Sequence, residues 1–260
     1  MLRSGAGSSF LFLTIFCVIL VAVVLLVRRG AFTPKIRRLS QLDAIAELVG
    51  RATEMGKPIH FMPGSGGLTG GDVAPQTIAG LSILGYTSEL CAKYGSKMFV
   101  TIRVAETQAL ARDIVQQAYM AAGKPEAFDP NQIIYVAPTS QSYTAGVLGL
   151  MNREKIAANI MVGAIWAESI MFSEEAATLG AMQLGGTAHT HQLPFMLACC
   201  DYSLIGEELF AAGAYVSKDP LQLAAVVGQD ICKLVAIALI AIGVLATLVG
   251  SPSLLNLLRW

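Results

Sequence analysis

Charge is scarce in this chain. Lys, Arg, Asp and Glu make up 14% of its 260 residues, against about 25% in ordinary soluble domains. The 18 basic and 18 acidic residues cancel, which excludes the global positive charge expected of a nucleic-acid binder. No C-x-x-C pair occurs among Cys17, Cys91, Cys199, Cys200 and Cys232. These five read as reduced, mostly buried small hydrophobes in a reducing compartment, not as a disulfide framework. Lys-Ser or Lys-Thr follows none of the glycines, so there is no P-loop. A G-x-S-x-G elbow, a Cys/His pair and a Ser/His/Asp set are also missing. No repeat of fixed period and no low-complexity linker interrupts the chain.

What the chain has instead is apolar length. Phe10 to Val27 is eighteen residues without a charge, roughly 27 Å of helix against a bilayer core of about 30 Å. The run exceeds the apolar region of a signal peptide and ends at Arg28-Arg29, so it reads as an uncleaved anchor. A second run, Leu234 to Val249, is preceded by Asp219-Pro220, a helix start, and by Lys233, which can snorkel. No proline interrupts Leu221 to Gly250, so one helix of about thirty residues, roughly 45 Å, is expected to rise from the soluble region into the membrane.

Arg28, Arg29, Lys35, Arg37 and Arg38 cluster after the first run, with only Arg3 before it. The positive-inside rule then keeps the middle of the chain in the cytoplasm and both termini outside. The expected organisation is a short tail (1–9), a first span (10–28), a basic juxtamembrane hinge (29–39) and a cytosolic domain (40–218). A helix continuing into the second span (219–250) and an interfacial tail (251–260) ending in Trp260 complete it.

Between the spans, helical and strand patterns alternate. Ser40 with Asp43 resembles a capping box opening a helix to Met55. Further helices are expected over Pro75–Tyr94, Glu106–Ala122, Tyr143–Asn152, Trp166–Leu179 and Ser203–Val216. Strands are expected over Ile59–Met62, Met98–Ile102, Ile133–Ala137, Asn159–Gly163, Ala181–Leu184 and Phe195–Cys200. Short continuous apolar strands between helices imply a sheet covered on both faces. The fold class is therefore α/β: a doubly wound, mostly parallel, Rossmann-like sheet of about six strands.

The first strand leads into Pro63-Gly64-Ser65-Gly66-Gly67-Leu68-Thr69-Gly70-Gly71-Asp72, with five glycines within eight residues. The dinucleotide fingerprint G-x-G-x-x-G fails at Thr69, whereas G-x-G-x-x-x-G fits through Gly64, Gly66 and Gly70. No acid closes the next strand, which ends in Ile102-Arg103; an Arg there suits a phosphate. Gly64, Ser65, Gly66, Gly67, Gly70, Gln76, Thr77 and Arg103 are thus the candidate ligand residues, with Asp72 placed to repel a phosphate. His189 and His191 form an H-x-H pair that needs a third ligand, from His60, Asp201 or a cysteine, to hold a metal. Glu168, Glu207 and Glu208 stand in apolar helices, where a carboxylate needs a raised pKa, which would suit a general base, or a partner such as Arg103, Arg112 or Arg153 across a subunit contact. No cofactor is implied.

The blocks LDAIAELVGRATEMGKPIHFMPG, QTIAGLSILG, QLPFMLACCDYSLIGEELFAAGAYVS and GQDICKL resemble an uncharacterised family of prokaryotic membrane proteins, a domain of unknown function. The resemblance runs from Leu42 to the second apolar run and implies a two-span protein of the prokaryotic cytoplasmic membrane. With two anchors, small-residue stretches such as Ala79-Gly80-Leu81-Ser82 and Gly85, and no complete catalytic set, the expected function is a non-enzymatic, homo-oligomeric scaffold on the lipid bilayer. A sensor or enzyme that binds a nucleotide or other anionic small molecule at the glycine loop is the alternative.

Overall fold

The computed structural model describes residues 7–30 and 39–249. In chain order the elements are α1 (Gly7–Arg28), α2 (Ser40–Met55), β1 (Ile59–Met62), α3 (Val73–Tyr94), β2 (Met98–Ile102) and α4 (Ala105–Ala121). Two short 3₁₀ turns then precede β3 (Ile133–Tyr135), α5 (Ser140–Glu154), β4 (Ala158–Val162), α6 (Glu168–Thr178), β5 (Met182–Thr187), α7 (Leu193–Cys199), β6 (Tyr202–Ile205), α8 (Glu207–Ser217) and α9 (Pro220–Val249). They form two units: α1 with α9, and the α/β unit Arg37–Ser217. Lys35, Arg37 and Arg38 of the basic cluster, and the tail 251–260, lie outside the described residues.

In the first unit α1 and α9 pair through small residues. Val23, Val27 and Ala224 are buried together. A Cβ at Gly228 would lie 2.7 Å from Leu20 Cδ2, so the glycine lets the helices approach. Most of the remaining surface of both helices is apolar and exposed, including Leu13, Val18, Ile237, Ile240 and Leu248. Among the described residues, one helix is long and apolar enough to cross a membrane, over Pro220–Leu245; the apolar part of α1, Phe12–Arg28, is shorter.

The α/β unit is a six-stranded sheet with strand order β3-β2-β1-β4-β5-β6. Every pairing is parallel. Strand polarity explains the apolar sequence of β1, β2 and β4, which are buried at every residue: helices cover both faces. One face carries Ile59, Phe61, Val100, Ile102, Ile160 and Val162 beneath α2, α3, α4 and α8. The opposite face carries Met62, Phe99 and Met161 beneath α5, α6 and α7, with Tyr143, Val147, Phe172 and Met196 between. Strand order reverses between β1 and β4, and such a reversal opens a crevice at the carboxyl ends of the strands.

Four expectations change. The run Phe195–Cys200 is not a strand but the helix α7, whose Pro194 sits in its first turn, where a missing N–H costs nothing. The stretch expected as one helix over Ser203–Val216 divides into β6 and α8, separated by Gly206. α2 begins without a side-chain cap: Leu39, not Ser40, is the N-cap residue. Of the cysteines, all free, Cys91 is buried but Cys17 and Cys199 are exposed.

The small-residue stretch of α3 is used inside the unit. A Cβ at Gly80 would meet the backbone oxygens of Val162 (2.5 Å) and Pro63 (3.0 Å). At Gly213 of α8 it would meet Ala79 Cα (2.9 Å), and at Gly85 it would meet Ile114 Cγ2 of α4 (3.1 Å). These residues let α3 settle on the strand ends and let α8 and α4 settle on α3.

Candidate functional site

At the crevice the loops after β1 and β4 are joined backbone to backbone. Ser65 N–H donates to Ala164 O (2.9 Å), and Gly163 N–H donates to Gly186 O (2.8 Å). Gly64 has φ +88° and Gly163 φ +128°, a region that suits glycine alone. A Cβ at residue 64 would lie 2.7 Å from Ala164 N, and one at residue 163 would lie 2.6 Å from Pro63 O. Both glycines are therefore required by the approach of the two loops.

Ser65 is fully buried, and its hydroxyl donates to the Glu168 carboxylate. Glu168 opens α6 and is 6% exposed. The carboxylate thus takes its partner from the glycine loop, not from Arg103, Arg112 or Arg153. Ser65→Ala removes this charge-assisted bond and is expected to lower stability by about 1.5–3 kcal/mol. A denaturant midpoint unchanged from wild type would show that the bond contributes nothing.

The rest of the loop divides into an inner and an outer part. A Cβ at Gly66 would run into Val73 Cγ1 and stand 3.3 Å from Thr77 Oγ1; Thr77 Oγ1 donates to Val73 O (3.2 Å). Gln76 is 2% exposed. Its Nε2 donates to Asp72 O (3.0 Å), and its Oε1 accepts from Ala188 N–H (2.9 Å) and Thr187 Oγ1 (3.2 Å). Gly64, Ser65, Gly66, Gln76 and Thr77 are all buried and occupied with one another or with the ends of β4 and β5. Gly70, Gly71 and Asp72 are exposed, with Gly67 and Leu68 half-buried between. Leu68 N–H donates to Glu106 Oε1 (2.7 Å) in the first turn of α4. Two amides that could cradle a phosphate, those of Ser65 and Leu68, are therefore satisfied from within the chain.

Along the same edge runs a row of cationic and aromatic groups. Arg103 follows β2, and its guanidinium carbon lies 5.6 Å from the Trp166 ring centroid, the geometry of a cation–π contact. Arg103 Nε is buried without a hydrogen-bond partner, and no carboxylate of a described residue is within ion-pair reach. On the loop after β4, Trp166 meets His189 at 5.0 Å between centroids, and His189 stacks on His191 at 5.4 Å. His189 Nδ1–H donates to Ile165 O (2.9 Å). No group of three His, Cys, Asp or Glu that could hold a metal is found among the described residues.

His60 cannot complete an H-x-H metal set, because it is inside the sheet. It faces α5 and α6, near Phe99 and Phe172. Asn159 Nδ2 donates to Gln183 Oε1 (3.4 Å), so Asn159 Oδ1 accepts from His60 Nδ1–H (2.7 Å). His60 Nε2 then accepts from Thr101 Oγ1 (2.8 Å), and the Tyr143 hydroxyl donates to Thr101 O (3.2 Å). The tautomer follows from this network. Burial lowers the His60 pKa to about 4; burial also pushes the Tyr143 phenol up. His60, Asn159 and Gln183 are paired in register across β1, β4 and β5, so polar residues at matching positions of apolar strands were the available sign of this ladder.

Glu106 and Trp166 were not among the residues singled out from sequence for a ligand, and their spacing gives no motif. A cleft of about 850 Å³ opens at the opposite, amino-terminal edge of the sheet, lined by Ser96, Lys97, Lys124, Gln132 and Arg153. Its cations stand near the ends of α3, α4 and α5, where positive charge complements helix C-termini, and it is separate from the crevice.

Compared with known proteins, residues 2–257 match the family described as a domain of unknown function (DUF6754). No curated protein and no solved structure matches the chain.

Proposed function

The chain belongs to the DUF6754 family, and from that premise and the crevice we propose that it is a membrane-tethered α/β module that binds a small anionic ligand. One observation carries the reading. Arg103 stands at the carboxyl end of β2, beside the reversal of strand order, with its Nε buried and unpartnered and its plane held near Trp166. A buried guanidinium donor without a partner is costly, and a phosphate or carboxylate oxygen admitted beside the half-buried Arg103 side chain would satisfy it. The ligand is read first by this cation, because the glycine loop is closed by its own contacts.

The tether is the α1–α9 pair. α9 is long enough to span alone; α1 is read as the second span although its apolar part, Phe12–Arg28, is shorter, which a locally thinned bilayer and snorkelling flanks would accommodate. This two-pass arrangement in a prokaryotic cytoplasmic membrane, with both termini outside and the α/β unit in the cytoplasm, rests on the charges that follow α1. Its check is protease accessibility in inside-out vesicles, where the α/β unit should be cleaved.

Ligand binding must raise stability, by about 2.7 kcal/mol when a ligand is present at a hundred times its Kd. The detergent-solubilised chain should therefore melt higher with at least one member of a panel of nucleotides, dinucleotides and phosphates. Arg103→Ala should abolish that gain while leaving the unliganded melting temperature within a few degrees. A panel that leaves the wild-type melting temperature unmoved sinks the reading.

A second reading is a homo-oligomeric scaffold. It draws on the exposed apolar residues Met171 of α6 and Phe195 and Leu197 of α7, which symmetric self-association would cover. A particle that stays monomeric by light scattering at all concentrations would exclude it.

A further inference from the structure

We propose that Glu106 is an internal competitor for the ligand's anionic group, bound at the loop amide that the ligand must take. The proposal rests on the anion-binding reading of the crevice. Glu106 Oε1 accepts from Leu68 N–H at 2.7 Å. The same oxygen lies 2.7 Å from where a Cβ on Gly67 would be, and Val104 Cγ1 lies 3.5 Å from that point. The outer half of the glycine loop is thus drawn against the segment that directly follows Arg103.

The chemistry of the contact identifies the ligand group. Of the loop donors, Ser65 N–H is committed to Ala164 O, deep between the loops, whereas Leu68 N–H meets an exposed carboxylate. An exposed carboxylate on a half-buried amide is exchangeable, because Glu106 can return to water at little cost. Its place on Leu68 N–H is that of an anionic oxygen. A phosphate or pyrophosphate replacing it would hold Leu68 N–H through one oxygen and present others to the Arg103 side of the crevice. Glu106 left beside that anion would repel it, so binding requires the loop to let go of Glu106. Glycines at 67, 70 and 71 permit that motion.

Calorimetric titration of the full-length, detergent-solubilised chain with pyrophosphate tests this. A short-chain phosphatidic acid in mixed micelles serves as the second probe, to separate a free phosphate compound from a lipid headgroup. Glu106→Ala should bind one of the two about ten- to a hundredfold tighter than wild type, the range expected for removing one charge-assisted competitor. Glu106→Gln should fall between, since its amide oxygen still accepts from Leu68 N–H without the charge. Adding Arg103→Ala to Glu106→Ala should remove the gain. Hydrogen exchange at the Leu68 amide should accelerate in Glu106→Ala and confirms that the contact, not the fold, was lost. If wild type and both variants bind equally, or the variants bind more weakly, the competitor role is wrong and anion binding stands. If wild type and both variants all fail to bind either probe, the competitor role falls, and the anion-binding reading falls with it only when the nucleotide and dinucleotide panel also leaves the wild-type melting temperature unmoved.

Discussion

Gly163→Ala is expected to unfold or aggregate the α/β unit, with a loss of about 4 kcal/mol or more. Two costs add. At φ +128° an L residue is strained by roughly 1–3 kcal/mol. The new methyl would also stand 2.6 Å from Pro63 O and 3.1 Å from Gly64 N, and neither backbone atom can yield without parting the loops. Gly180→Ala is the control: its φ is +68° with nothing within 4 Å, so it should cost only about 1–2 kcal/mol. Denaturant midpoints of both variants, read by circular dichroism on the detergent-solubilised chain, make the comparison. Equal losses would mean that the crevice is not closed by contact between the two loop backbones. The consequence for function is direct. A crevice whose inner half is sealed by backbone leaves only its outer rim for a ligand, which is why Arg103, Leu68 and Glu106 matter more than Gly64, Ser65 and Gly66.

The strands that lie in the middle of the sheet were legible in the sequence because burial on both faces demands continuous apolar runs: Ile59–Met62, Met98–Ile102 and Asn159–Gly163 each fall within one residue of the observed strand. Leu193–Cys199 was not, since an apolar run of six residues has no period to distinguish helix from strand, and Pro194 was the neglected sign. Tyr202–Ile205 was hidden for a different reason. It has only one buried residue, Leu204, so the run from Ser203 onward reads as part of the helix that follows. The glycines of the first loop were visible, but their neighbours were not. Ser65 and Glu168 are 103 residues apart, and nothing in either segment names the other. Likewise, Ala79, Gly80 and Gly85 announced a close approach without saying to what, and the approach is made inside the unit. Arg103 was found from its place at a strand end. Its missing partner is a tertiary fact that only the surroundings of β2 reveal.

Acid should destabilise the α/β unit through His60 before most of its carboxylates titrate. The unfolded chain binds a proton on His60 below about pH 6.5, whereas the folded one keeps the ring neutral down to about 4 because protonation inside the sheet is not solvated. Between those values the unfolded state binds more protons, so stability falls as pH falls. The contribution is absent above the window, grows through it and is complete near pH 4, at about 3 kcal/mol for a pKa lowered to about 4. His60→Gln isolates the effect from the carboxylates that also titrate below pH 5. A glutamine amide can donate to Asn159 Oδ1 and accept from Thr101 Oγ1, as the neutral imidazole does. The variant should lose about 1–2 kcal/mol at pH 7.5 from imperfect packing against Phe99 and Phe172. It should then show a flatter decline from pH 6.5 to 4.5, so that the two stability curves converge or cross. Parallel curves would mean that the ring takes up its proton without leaving the ladder. In that case water or a rearranged Asn159 must reach the centre of the sheet, and the ladder would not be a fixed brace between β2, β1, β4 and β5.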